Sequence, residues 1–310
     1  MNTAIQIYEK PKAKSVYLIA GWRQWADAGS VSSNLPEYLI DYTNAKKIGE
    51  IKSDDFYLFQ IPSTHYLFRP DIKLDEGYRK SLEQKRNEFF YAPDDENDLV
   101  IFLGDEPHLN VEGYAKTFFE ALDMLGVNNG VGLGGVYGEM PYDKDREISC
   151  VYSLPDLKTT LENYAVRFSN YEGGATISTY LIDMAARLEV NFCAFYAFVP
   201  AYDFAEGEEE EPQGVRIEND FKAWYDLMRR INHLFDLHLD LSDLAKQSND
   251  LIAVMDDKIE QLSVDKPNLD IKQYLQGLED AFQERSFIPL GDVWERELSD
   301  LLEDFDDERD

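Results

Sequence analysis

Four continuous apolar runs restrict the fold of this chain more than any other feature: "VYLIA" at 16–20, "LVIFL" at 99–103, "GVGLG" at 130–134 and "NFCAFYAFV" at 191–199. A run that is apolar without alternation belongs to a strand covered on both faces, and such strands occur in parallel sheets with helices on either side. Helical patterns lie between them. In "NVEGYAKTFFEALDMLG", residues 110–126, Tyr114, Phe118, Ala121 and Leu125 mark one face and Gly126 supplies a stop. "ATISTYLIDMAARLE" at 175–189 is a second helix, and Pro36 suits the first turn of another. The segment "NEFFYAPDDENDLVIFLG" reads as a strand pair with a turn at Pro93–Asp98. The expected fold class is therefore α/β, with a mostly parallel, doubly wound sheet filling residues 1–205.

Beyond 205 the pattern changes. "EGEEEEPQG" predicts a solvated acidic connector over 206–214, after which the strands are expected to stop. Residues 215–310 read as a helical region packed on the core. Ile217, Phe221, Trp224, Met228, Ile231 and Phe235 form one stripe, and further helices are expected near 241–262, 270–284 and 291–305, with Trp294, Leu298, Leu301 and Phe305 continuing the pattern. Large apolar side chains in such a stripe gain about 1.5–3 kcal/mol each from full burial, so docking is favoured over a free tail.

Charge narrows the function. A formal −31 repels nucleic acid and anionic lipid, so neither partner is expected. The start "MNTAIQIYEKPKAKS" has no basic-then-apolar leader, and no apolar stretch nears the roughly 18 residues of a membrane span, which leads to a cytoplasmic expectation. Cys150 and Cys193, the two cysteines, sit in apolar runs and read as buried free thiols.

Complete catalytic motifs are missing from the sequence: there is no GxxxxGK[ST], GxSxG, HExxH or CxxC. "GVGLGG" at 130–135 lacks dinucleotide-loop spacing, so close packing explains its glycines. His233 and His238 are five apart, off the i, i+4 spacing of a helical metal pair. Neither a metal nor a cofactor is expected.

What remains is a set of strand exits, where α/β proteins build their sites. "WADAG" offers Trp25, Asp27 and Gly29; "LGDEPH" offers Gly104, Glu106 and His108; "YEGG" offers Glu172 and Gly173; and "VPAY" offers Tyr202. Two readings stand for the first exit. Trp22 and Trp25 could pack a loop over the sheet edge while Asp27 caps the next helix; alternatively Asp27 lines a pocket. Asp105 could likewise cap a turn, or Glu106 and His108 could do acid–base work. If the ends converge, Asp27, Glu106 and Glu172 form an acidic, aromatic crevice in which crowding raises at least one carboxylate pKa.

Taken together, "WADAG", "LGDEP", "YEGG", "VPAY", "YLQGLEDAF" (274–282) and "WERELSDLL" (294–302) resemble the proteasome assembly chaperone family, in particular its prokaryotic members of unassigned function. The resemblance implies a phosphorylase/hydrolase-like fold, a homo-oligomer such as a trimer, and for some relatives a part in assembling proteasome rings. Departures stand at Gln24, Asp105, Tyr142 and Ala201, the last two being positions where similar proteins often carry histidine. Relatives that dock on proteasome rings end in a hydrophobic residue, tyrosine and a final residue, whereas Glu308-Arg309-Asp310 closes this sequence. The leading expectation is a non-catalytic, self-associating, chaperone-like or scaffold protein, with another protein as a further partner. The alternative is a small-ligand binder or a hydrolase- or ligase-like enzyme using the acidic crevice; a third is a regulatory protein offering acidic helices to basic partners.

Overall fold

The computed structural model describes residues 4–52, 55–59, 69–93, 97–204 and 214–287. Along the chain run β1 (Ile5–Ile7), β2 (Ser15–Arg23), α1 (Asn34–Tyr42), β3 (Lys46–Ile51), β4 (Asp71–Asp75), β5 (Tyr78–Glu83), β6 (Asn87–Ala92), β7 (Asn97–Asp105), α2 (Val111–Leu125), β8 (Asn129–Gly138), β9 (Ile148–Tyr152), α3 (Leu157–Leu161), β10 (Arg167–Phe168), α4 (Ile177–Arg187), β11 (Asn191–Asp203), β12 (Gly214–Arg216), α5 (Phe221–Leu234), α6 (Ser242–Asp265) and α7 (Ile271–Ala281). The expected helix over 291–305 and nearly all of the 206–214 connector fall outside the described residues.

The four apolar runs are the four central strands. They lie side by side as β7-β2-β8-β11, all parallel. Antiparallel strands extend both flanks, β6, β3 and β1 beyond β7, and β9 with its parallel partner β10 beyond β11. The strand pair read from 87–104 is the antiparallel β6–β7 pair. Helices cover both faces, as doubly wound sheets require. Tyr114, Phe118 and Leu122 of α2 and Leu181 and Met184 of α4 pack on one face, around Trp22, Phe89 and Phe102. On the other face, Leu35 and Leu39 of α1 and Trp224, Leu227, Met228 and Ile231 of α5 cover Ile19, Ile101, Leu133 and Phe195. The α2 boundaries follow from caps: the Asn110 side chain accepts from the Gly113 amide, and Gly126 ends the helix at φ 74.

Three expectations need correction. Strands continue past 205, because β12 pairs antiparallel with Ala201–Asp203 of β11. Trp22 does not cover a sheet edge. It sits inside β2, fully buried, with its indole N–H donating to the Tyr114 hydroxyl at 2.8 Å. Tyr202 is no part of an open crevice either, since β11 runs on to Asp203 and turns this ring into the core, where its hydroxyl donates to the Met140 carbonyl at 2.7 Å. A 13-residue strand carries its alternation past the point where a short-strand reading ends it.

Among the described residues no helix is long and apolar enough to cross a membrane. Cys150 and Cys193 are free and buried, and burial raises both thiols, Cys193 to about 12.

Candidate functional site

The site begins where β2 leaves β8. Against β7 the pairing persists to Arg23↔Asp105, but against β8 it stops at Ala20↔Gly132. At Gly21 the chain leading into α1 packs directly on the strand: a Cβ there would lie 2.1 Å from the Ser32 carbonyl oxygen and 2.4 Å from Pro36 Cγ in the first turn of α1. The opened gap is stitched by other groups. Gln24 Nε2 donates to the Leu133 carbonyl at 3.0 Å, and the Gly135 amide donates to the Ala26 carbonyl at 2.9 Å. Here two parallel neighbours of β2 diverge, which is where open α/β sheets build crevices.

Both expected acids of this region are spent on backbone. Asp27 Oδ1 accepts from the Ser32 amide (2.9 Å), the Ser33 amide (3.1 Å) and the Ser32 hydroxyl (3.0 Å), so it fixes the turn into α1. Burial nevertheless raises its pKa, with the Ser33 and Ser32 bonds opposing. Glu106 joins two distant segments: Oε2 accepts from the Trp25 amide at 3.2 Å, and Oε1 from the Ile177 amide at 2.9 Å, in the first turn of α4. The Glu106 carboxyl group thus sits at the N-terminus of α4. Asp105 is likewise committed, to Lys85 Nζ and the Arg86 amide.

The structure brings Asp27, Glu106 and His108 to one shallow, open depression of about 490 Å³, with Arg23 and Lys85 on its wall. His108 is tied to the stretch ahead of the β4–β5 hairpin: its Nδ1 accepts from the Leu58 amide at 3.2 Å and its ring meets Tyr57 edge-on. Burial lowers its pKa, and the Lys85 charge adds to that. Glu172 does not join them. It lies on the exposed stretch 170–175 and lines neither this depression nor the cleft beside it.

The remaining expected residues have structural places. Gly29, at φ 62, seats α5: its carbonyl accepts from the Asp220 amide and from Trp224 Nε1, each at 3.0 Å, and a Cβ would meet Asp220 Cβ at 2.7 Å. Asp220 in turn holds Arg146, both fully buried, at 2.8 and 3.1 Å. Gly104 makes room for Phe102 and Asn87, and Gly173 for the ring of Tyr171.

Beside the acids, and lacking any charged lining residue, lies a second cleft of about 410 Å³ at the carboxyl ends of β8 and β11. Ala26, Ala28, Gly135, Val136, Val151 and Phe198 make its apolar surface. Its aromatic lip is exposed: Trp25 is 72% accessible, Tyr171 63% and Tyr137 48%. One corner is polar, where the Tyr196 hydroxyl meets Thr176 Oγ1 at 2.7 Å and Thr179 Oγ1 at 2.8 Å. Trp25 is thus the one expected site residue that borders the cleft. Tyr196, Thr176, Thr179 and Tyr171 were not expected in a site, although Tyr171 stands inside "YEGG" and Tyr196 is the one hydroxyl in "NFCAFYAFV". Chemically the arrangement offers stacking surfaces and neutral hydrogen-bonding groups. Among the described residues no group of three His, Cys, Asp or Glu side chains could hold a metal ion.

Comparison with known proteins gives a consistent picture. A family model described as the PAC2 family matches residues 21–259. A PAC2 family protein from Streptomyces avermitilis is similar at 24% identity and a TM-score of 0.66, covering 84% of this chain and 99% of its own. A proteasome-assembly chaperone homologue from Mycobacterium tuberculosis, at 21% identity and TM-score 0.66, covers 78% of this chain and 94% of its own. An archaeal homolog of proteasome-assembly chaperone from Pyrococcus furiosus, PbaA, reaches a TM-score of 0.52 at 17% identity, covering 88% and 98%. At these identities the structural likeness establishes the fold. No curated protein sequence matches the chain.

Proposed function

This chain belongs to the PAC2 family, and from that premise we propose that it is a non-catalytic, chaperone-like binding protein of the cytoplasm that associates with copies of itself and with at least one other protein. The observation that carries this reading is how the acids are used. Asp27 and Glu106 accept five hydrogen bonds from amides and a hydroxyl of their own chain. A general acid or base has to face the proton it moves; these two face the backbone. They shape the walls of a neutral, aromatic-lipped cleft, which is a surface for contact. The proteasome-assembly name carried by two of the similar structures supports the chaperone-like class.

For self-association the β4–β5 hairpin offers a surface. It is a separate two-stranded sheet, with Ile72 opposite Leu82 and Leu74 two residues along, all exposed. A lone hairpin with one apolar face is marginally stable in water and gains from being covered. Residues 69–86 hold six Lys or Arg against four Asp or Glu, a balance of +2, which leaves −33 on the rest of the chain. A second copy therefore supplies both an apolar contact and opposite charge.

Light scattering and native mass spectrometry of the purified chain test the reading, alongside suppression of aggregation of a heat-labile client protein. A closed oligomer and suppressed aggregation are expected, with Ile72→Asp/Leu74→Asp reducing the oligomer to monomers. A monomer at all protein and salt concentrations overturns self-association. Aggregation that proceeds unchanged with equimolar chain overturns the chaperone-like role.

A further inference from the structure

The geometry points to a second activity that does not depend on the chaperone-like reading: the cleft between Trp25, Tyr171 and the Tyr196 hydroxyl corner binds a small, uncharged aromatic molecule.

Size comes first. About 410 Å³ lies within the range of small-molecule pockets, roughly 300–1,000 Å³. Chemistry comes second. Charged residues number 91, made up of 30 basic and 61 acidic, yet none lines this cleft. Two charged groups beside it are engaged elsewhere, since Glu106 is bonded to the Trp25 and Ile177 amides and Arg216 lies 5.4 Å from the Tyr137 ring centroid as a cation over its face, while Glu172, between the lining residues Tyr171 and Gly174, is exposed to water. A ligand carrying a charge would be desolvated here without a partner. A flat apolar ligand instead covers Ala28, Val151 and Phe198 and can stack on the exposed rings of Trp25 and Tyr171.

Orientation comes from the hydroxyl corner. Three hydroxyls meet around Tyr196; Thr176 Oγ1 is fully used, since it also accepts from the Thr179 amide at 3.2 Å, but the Tyr196 and Thr179 hydroxyls each keep one lone pair beyond the bonds they make there. One N–H or O–H donor on the ligand can be received without any ion. Ser149 and Ser169 on the same wall add neutral donors and acceptors. The cleft is also already formed. Glu106 ties the Trp25 backbone on one wall to α4, which carries Thr179 on the other, so little ordering opposes binding.

Indole serves as the probe, with tryptamine as its cationic and indole-3-acetate as its anionic counterpart. An NMR titration of the full 15N-labelled chain, followed at the Trp25 side-chain N–H and assigned by Trp25→Phe, reads binding directly. Indole is expected to saturate, and tryptamine to bind at least several-fold more weakly despite its attraction to a −31 protein. Ser149→Phe, which fills the cleft, and Tyr171→Ala, which removes part of the lip, should each weaken indole at least ten-fold; the exposed Tyr171 position guards against a folding artefact. Non-saturating shifts overturn the inference. So does tryptamine binding as tightly as indole, or affinity unchanged in both variants.

Discussion

The carboxylate of Glu106 accepts a hydrogen bond from the Ile177 amide at 2.9 Å, across 71 residues of sequence, while its other oxygen holds the Trp25 amide at 3.2 Å. One side chain thus caps α4 and fixes the loop after β2. Glu106→Ala leaves two amides without their acceptor and should cost about 1–3 kcal/mol in chemical denaturation. Glu106→Gln keeps one acceptor oxygen but turns an NH2 toward the other amide, so an intermediate loss is expected. Equal stability of all three proteins would show that these bonds contribute nothing.

Asp27 gives a pH signature. Burial raises its folded-state pKa above the unfolded value, so the folded chain holds this proton more tightly than the unfolded one. Its contribution is then greatest below the unfolded pKa and is lost as pH rises through the folded pKa. All three of its bonds end on Oδ1, so an asparagine can keep them with its carbonyl oxygen. Asp27→Asn lacks this contribution, so its stability relative to wild type should rise between about pH 3 and pH 7 and it should remain folded at neutral pH, whereas Asp27→Ala loses about 1–3 kcal/mol. Thermal melts of the three proteins across that range decide it, and a wild type whose profile parallels that of Asp27→Asn would contradict the raised pKa.

The two tryptophans of the "GWRQWADAG" stretch should respond in opposite ways. Trp22 is fully buried, among Phe102 and Phe118 at centroid distances of 5.3 and 5.6 Å, and Trp22→Ala should cost about 3–5 kcal/mol. Trp25 is 72% exposed, and Trp25→Ala should stay within about 0.5 kcal/mol of wild type. Acrylamide quenching should fall in Trp25→Phe and not in Trp22→Phe.

Arg146 and Asp220 form a pair with no exposure at either side chain. Arg146 also donates to the Tyr142 and Lys144 carbonyls, and Asp220 caps α5 through the Ala223 amide. Arg146→Met strands a buried carboxylate and should cost about 3–5 kcal/mol. Adding Asp220→Asn to it should recover part of that loss, and strict additivity in a double-mutant cycle would deny the coupling.

The central strands were legible because an unbroken apolar run has one economical home, a strand covered on both faces. Strands β3, β9, β10 and β12 were not, being short, mixed in polarity and stabilised by neighbours distant in sequence. The sequence pointed to Asp27, Glu106 and Glu172 as neighbours, on the ground that strand exits in a parallel sheet converge; Asp27 and Glu106 do share a depression with His108, but Glu172 lies on the exposed stretch 170–175 and stays apart. It could not show what the acids bind: the amide that Glu106 holds belongs to Ile177, on a helix whose register no local pattern ties to residue 106. Tyr196 was hidden for a related reason, because an apolar run conceals the one hydroxyl that faces a cleft.

The Gly29 carbonyl, shared by the Asp220 amide and the Trp224 indole, makes the loop after β2 and the start of α5 a single cooperative unit. Neither can open alone without leaving a buried acceptor unpaired. Amide hydrogen exchange in the two segments should therefore slow and quicken together, with one opening free energy, even though nearly 200 residues of chain separate them.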